Sequence, residues 1–261
     1  MPTKYKLTVW HVLIVLLALV FWTYTAGVIS HSSDSFDLDP EGIIYLLMFA
    51  SVIALGFALF QKKWLILSFS AAIGVPYLLA LPGYWAGAGI AFMLLFLLYS
   101  WSATVRELKE RSKVNIGEVL KRSLGGVILA IFIAVSFAAY ESPLAAELEK
   151  TQRLPSSTER FIAGVVRGTI GTRLEGSEQE KQTIVAEVSR QTFQELNNFI
   201  KPYFRFAPPL LAFGLFLVLW GLSWFFIQLS VLLGILIFWI LKKTKMVMIE
   251  EKDVKAEVLS V

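Results

Sequence analysis

Hydrophobic residues along this chain gather into long uncharged runs, separated by short charged or turn-forming segments. The runs extend from Leu7 to Ile29, Gly42 to Phe60, Trp64 to Leu81, Tyr84 to Trp101, Leu124 to Tyr140 and Pro209 to Leu241. A helix needs about 20 mostly apolar residues to cross a hydrocarbon core ~30 Å thick. The pattern therefore predicts an all-α fold, a polytopic transmembrane helix bundle of six spans. Residues 1–140 hold the first five, and the last run, 209–241, would extend roughly 50 Å as one helix. That exceeds the core, so the helix is expected either to tilt strongly or to continue outside the bilayer.

Over residues 141–208 the pattern changes to apolar positions at three-and-four spacing among charges, which marks amphipathic helices. Ser142 before Pro143 starts the first, "SPLAAELEKTQR", as an N-cap followed by proline. "LPSSTE" interrupts it and supplies Ser156 and Glu159 in capping-box relation. The second helix carries Phe161, Ile162, Val165, Val166 and Ile170 on one side, and the third carries Val185, Val188, Thr192, Leu196 and Phe199. About 65 residues are too few for a self-sufficient core. This small extracytoplasmic helical cap is expected to pack on the membrane domain or on another copy.

Short-loop charges set the expected orientation. Lys4 and Lys6 precede the first span, and Lys62 and Lys63 follow the second. Arg106, Lys109, Arg111, Lys113, Lys121 and Arg122 lie between the fourth and fifth, and Lys242, Lys243 and Lys245 follow the sixth. The alternate segments "SHSSDSFDLDPEG" and "LPGYW" contain no Lys or Arg. By the positive-inside rule both termini and the tail 242–261 are cytoplasmic, and 141–208 is extracytoplasmic. The first span is expected to be a retained helix, with Trp22 and Tyr24 as an interfacial anchor near the outer face, in preference to a cleaved signal. Asp39 before Pro40 is a helix start for the second span, and Asn115 with Glu118 begins an amphipathic turn leading into the fifth.

Composition agrees with the pattern: 56% hydrophobic residues and a mean hydropathy of +0.66 place the 261-residue chain among membrane proteins. The net charge of +4 is explained by span-flanking lysines and arginines, so no nucleic-acid partner is expected. The chain has no cysteine, which excludes disulfides, a thiol nucleophile and Cys-ligated zinc.

Candidate chemistry is sparse. The two histidines, His11 and His31, do not form a helical metal motif, and neither a nucleophile-elbow serine nor a P-loop is present. No catalytic, metal or cofactor-binding residue is assigned, and no enzyme activity is expected. Asp34, Asp37, Asp39 and Glu41 invite a cation-site reading, and "DLDPEG" imitates the opening of an EF-hand loop, but loop position twelve is Met48, so a solvated acidic loop with a helix cap is the preferred reading. His11 reads as an interfacial residue, and the scattered intramembrane serines as interhelical or back-bonded hydrogen-bonding groups. A polar pathway, if the bundle holds one, would involve Gln228, Ser70 and Pro76, because the proline beyond Gly74 kinks the third span. "MVMIEEKDVKAEVLSV" alternates at Val254, Ala256 and Val258; a flexible charged tail is preferred to a strand added to a partner.

Small residues give the most specific packing signal. Gly126, Ala130, Ala134 and Ala138 recur every four positions in the fifth span, and Ala50, Ala54 and Ala58 do so in the second. In lipid, close backbone approach through small residues supplies much of the association energy. The two stripes are expected to face one another within a subunit, with a homodimer through the fifth span as the rival. The functional expectation is a non-enzymatic assembly, scaffolding or envelope-organising protein; a channel or transporter for a neutral or apolar solute is the alternative. Its expected partners are membrane lipids together with another copy or another membrane protein.

Overall fold

The computed structural model describes residues 3–31, 40–110, 114–152, 154, 156–171 and 178–247. Asp34, Asp37, Asp39 and the alternating tail positions lie outside the described residues, as does the side chain of Ser156. The protein is an all-α membrane helix bundle, without a strand among the described residues. Among the described residues five helices are long and apolar enough to cross a membrane, and a shorter apolar helix covers Trp64–Ala80.

The chain divides into two compact units. The first takes in residues 1–25, 39–135 and 216–261. It draws on α1 (Thr3–His31), α2 (Pro40–Leu59), α3 (Trp64–Ala80), α4 (Ala86–Glu110), α5 (Ile116–Tyr140) and α9 (Ala207–Lys243). Local sequence explains where several of these begin. Pro40 opens α2 with a ring already set to helical φ, and the Asn115 side chain accepts from the Gly117 N–H at 3.1 Å, satisfying a donor at the start of α5. Pro76 lies inside α3 without ending it, so the expected kink site belongs to one uninterrupted helix.

Contacts along these helices fix their directions. Trp10 packs edge-on to Phe60 and donates its indole N–H to the Val52 carbonyl, whereas Tyr24 packs against Tyr45; α1 and α2 are therefore antiparallel. His11 meets Ser68 and Trp22 meets Tyr77, which makes α1 and α3 parallel. Ser100 bonds to Ser123 and Glu107 pairs with Arg122, and Leu120 sits against Gly234 while Phe132 packs on Phe226. Thus α5 runs antiparallel to both α4 and α9. One consequence is chemical: Lys6, Lys62, Lys63, Arg106, Lys109, Lys121, Arg122, Lys242, Lys243 and Lys245 all fall at one end of this unit.

The core of the first unit is apolar and aromatic, with Phe49, Phe57, Phe69, Tyr77 and Phe132 among its fully buried side chains. Every residue of α2 from Phe49 to Ala58 is buried, so α2 is surrounded by protein on all sides. Trp22 corrects a sequence expectation. It is 0% exposed, edge-on to Phe21, Phe49 and Tyr77, and is a core residue in place of an interfacial anchor. Its position near a helix end suggests the membrane boundary, but its direction is decided by the face α1 turns toward α2 and α3.

The second unit takes in residues 26–38 and 136–215. Its helices are α6 (Pro143–Thr151), α7 (Ser156–Val166), a π-helical turn (Arg167–Gly171), α8 (Glu178–Ile200) and a 3-10 segment (Lys201–Phe206) leading into the first turns of α9. Ser142 Oγ accepts from the Ala145 N–H at 3.2 Å, the N-cap its place before Pro143 predicts. Gln152 closes α6 in the left-handed region (φ 49°), its N–H returning to the Leu148 carbonyl. Leu148, Phe204 and Ala207 form a small core with Leu144, Leu154, Ile200 and Leu211 around it.

The predicted apolar faces of this unit are only partly covered. Val166 and Val185 are buried, whereas Phe161 and Val165 on α7, and Thr192 and Phe199 on α8, are exposed. A contact between two helices covers a narrower strip than an apolar face three or four residues wide, so the outer members of each face stay uncovered. The side chain of Ile170 lies outside the described residues.

Candidate functional site

Gly126, Ala130, Ala134 and Ala138 are all buried along α5. At Gly126 the neighbour is α4. A Cβ placed there would stand 2.7 Å from Ser100 Cβ, 3.0 Å from the Phe96 carbonyl oxygen and 3.1 Å from Ser100 Cα. Two of these are backbone atoms, which cannot move aside, so glycine alone fits. One turn N-terminal on α5, Ser100 Oγ donates to the Ser123 carbonyl at 2.6 Å. Further along, the Ala134 carbonyl accepts from Tyr77 Oη at 3.2 Å. At these two stripe positions α5 therefore meets α4 and α3. Ala50, Ala54 and Ala58 are buried on α2.

The three polar-pathway residues have different surroundings. Gln228 is half-buried on α9, and Pro76 is buried within α3. Ser70 is 7% exposed and its hydroxyl has no hydrogen-bond partner. The Ser230 hydroxyl is likewise buried and unpartnered, although its carbonyl accepts from Ser51 Oγ at 2.9 Å. Trp22 Nε1 and Trp101 Nε1 are further buried donors without an acceptor among the described residues. Polar chemistry is thus dispersed among several helices.

His11 ties two helices together. Its Nδ1 is 2.9 Å from the Leu7 carbonyl, which only accepts, so that nitrogen carries a proton. Its Nε2 is 2.8 Å from Ser68 Oγ, which also reaches the Leu65 carbonyl at 3.1 Å. The ring stands edge-on to Phe69 at 4.9 Å. Among the described residues no three His, Cys, Asp or Glu side chains gather to hold a metal ion.

At the basic end, Lys6 Nζ donates to the Met246 carbonyl at 2.8 Å, joining the start of α1 to the end of α9. Lys243 Nζ lies 5.1 Å from the centroid of the Trp239 ring. Arg122 Nε is 3.6 Å from the Glu107 carboxylate. In the second unit, a shallow indentation runs along α8 past Gln182, Thr183, Ala186, Glu187 and Arg190. Glu187 accepts from the Arg190 guanidinium at 2.9 Å and holds its affinity for the proton above the ordinary value.

Sequence reasoning missed Ser100, Ser123 and the inward role of Trp22. Serines in apolar helices carry no mark of which neighbour they bond, and the fourfold spacing at Gly126 signals a close approach without naming its partner. No family model, curated protein or solved structure matches the chain.

Proposed function

We propose that this chain is a multi-pass cell-membrane protein of six spans, with both termini cytoplasmic and residues 141–208 outside, whose role is assembly and not chemistry. On this reading the bundle anchors a helical module that engages another copy or a second membrane protein. The observation that carries it is the uncovered face of α7. Phe161, Gly164 and Val165 follow i, i+3, i+4 spacing along α7 and are exposed, with Phe161 at 71%. A helical face of that kind in water marks a contact surface. The filled aromatic core of the first unit favours an anchor over a conduit.

The test uses the absence of native cysteine. Single cysteines at Gln182 and Lys63 are expected to react with an impermeant maleimide from outside and only after permeabilisation, respectively; the reverse pattern sinks the orientation. A photo-crosslinker at Phe161 in intact membranes is expected to give discrete adducts, and a monomer band alone removes the assembly role. The solute-conduit reading draws on the half-buried Gln228 and the unpartnered hydroxyls of Ser70 and Ser230. Glycerol flux in proteoliposomes that disappears in Gln228→Leu would select it.

A further inference from the structure

The basic end of the first unit is divided. On one side, Arg106, Lys109, Lys121 and Arg122 of α4 and α5 are interleaved with Glu107, Glu110 and Glu118, and Arg122 pairs with Glu107. On the other, Lys6, Lys62, Lys63, Lys242, Lys243 and Lys245 come from helices α1, α3 and α9 and their flanks. These three helices contain no Asp or Glu, and Glu41 of α2 lies at the opposite end of the unit. We propose that this lysine cluster, which has no acidic side chain among its described residues, is a headgroup site for an anionic phospholipid.

Convergence of the cluster rests on direct contacts. The Lys6 to Met246 hydrogen bond brings the end of α9, with its three lysines, beside the start of α1. Trp10, one turn beyond Lys6, packs on Phe60 with ring centroids 6.1 Å apart, which sets the Lys62–Lys63 turn beside the same end. Either side of the bundle would satisfy the positive-inside rule. Only this one concentrates positive charge without acidic neighbours among its described residues.

The flanking side chains identify the ligand as a lipid in preference to a free anion. Trp64 directly follows Lys63 and is 54% exposed; Trp239 is 57% exposed beneath Lys243. Leu67 and Leu236, one turn deeper on the same helices, are also exposed. Amphipathic indoles settle at the boundary between headgroups and acyl chains, with leucines below and lysines at phosphate level. Phosphodiester oxygens attached to acyl chains match that layering; inorganic phosphate matches only its top layer.

The site rests on the membrane reading above, and the two fail separately. In nanodiscs mixing phosphatidylglycerol with phosphatidylcholine, the full chain is expected to retain phosphatidylglycerol, as counted by native mass spectrometry after release into detergent. Changing Lys62, Lys63, Lys242 and Lys243 to Gln is expected to reduce that retention ~10-fold or more, since each juxtamembrane cation adds to the attraction. Changing Arg106, Lys109, Lys121 and Arg122 to Gln removes the same formal charge and is expected to leave retention near wild type. Equal loss in both variants, or displacement of the lipid by inorganic phosphate alone, overturns the site. If a variant does not insert, acetylating the inserted wild-type protein neutralises the lysines and leaves Arg106 and Arg122 charged: retention is expected to fall, and unchanged retention overturns the site. A chain that never enters nanodiscs sinks the membrane reading instead.

Discussion

Gly126 stands against Ser100 so closely that a methyl group on its Cα would lie 2.7 Å from the serine Cβ and 3.0 Å from the Phe96 carbonyl oxygen. Its neighbour Gly125 has nothing within 4 Å of the same position. Gly126→Ala is therefore expected to force α4 and α5 apart and to destabilise the protein by about 1–3 kcal/mol, the usual cost of overpacking. Gly125→Ala is expected to be neutral or to stabilise by up to ~1 kcal/mol through helix propensity. Thermal unfolding of both variants in one detergent checks the contrast, and equal melting temperatures would remove the close-approach role of Gly126.

Two buried serines should respond in opposite ways to losing a hydroxyl. Ser100 Oγ donates to Ser123 O at 2.6 Å, and Ser100→Ala keeps the Cβ that faces Gly126. Its cost is expected at ~0.6–1.7 kcal/mol, the range for interhelical hydrogen bonds in membranes. Ser70 Oγ is buried without a partner, so Ser70→Ala removes an unsatisfied group and is expected to leave stability unchanged or slightly raised. A large loss at Ser70 would mean that its hydroxyl serves a polar path, as the solute-conduit reading requires.

Tryptophans divide in the same manner. Trp22 is fully enclosed by Phe21, Phe49 and Tyr77, and Trp22→Ala leaves a cavity whose cost is about 3–5 kcal/mol. Trp224 is 69% exposed, and Trp224→Ala is expected to stay within ~0.5 kcal/mol in detergent. Comparable losses at the two positions would contradict the inward placement of Trp22.

These contrasts show what the sequence encodes openly. Runs without charge, such as Gly42 to Phe60, announce helices because leaving backbone groups unpaired in lipid is too costly for any other open structure. Starts such as Ser142-Pro143 and Asn115 are legible because capping is local chemistry. Trp22 was not legible, since an indole near a helix end suits either a lipid interface or a packed core. The rotation of α1 decides between them through Tyr77 and Phe49, residues far away in sequence. The stripe on α5 tells the same story: its spacing implies a close neighbour, whereas Phe96, Ser100 and Tyr77 became visible as neighbours only in three dimensions. On α7 and α8 the apolar periodicity is plain, but how much of each face is covered depends on how many helices share it.

The α4–α5 contact can also be trapped covalently. Ser100 Oγ and Ser123 Oγ are 3.3 Å apart, and the chain has no cysteine of its own to compete. Replacing both with cysteine brings two sulfurs to positions from which a bond of about 2.05 Å needs only a small side-chain adjustment. Oxidation in native membranes is expected to give an intramolecular disulfide, seen as a faster-migrating band that dithiothreitol reverses. The pair Ala54→Cys with Ala134→Cys tests the facing of α2 and α5 by the same assay. Bonding at 100–123 alone would assign the close face of α5 to α4, bonding at both would place α5 in a groove between the two helices, and a dimer-sized band from either pair would move the interface between subunits.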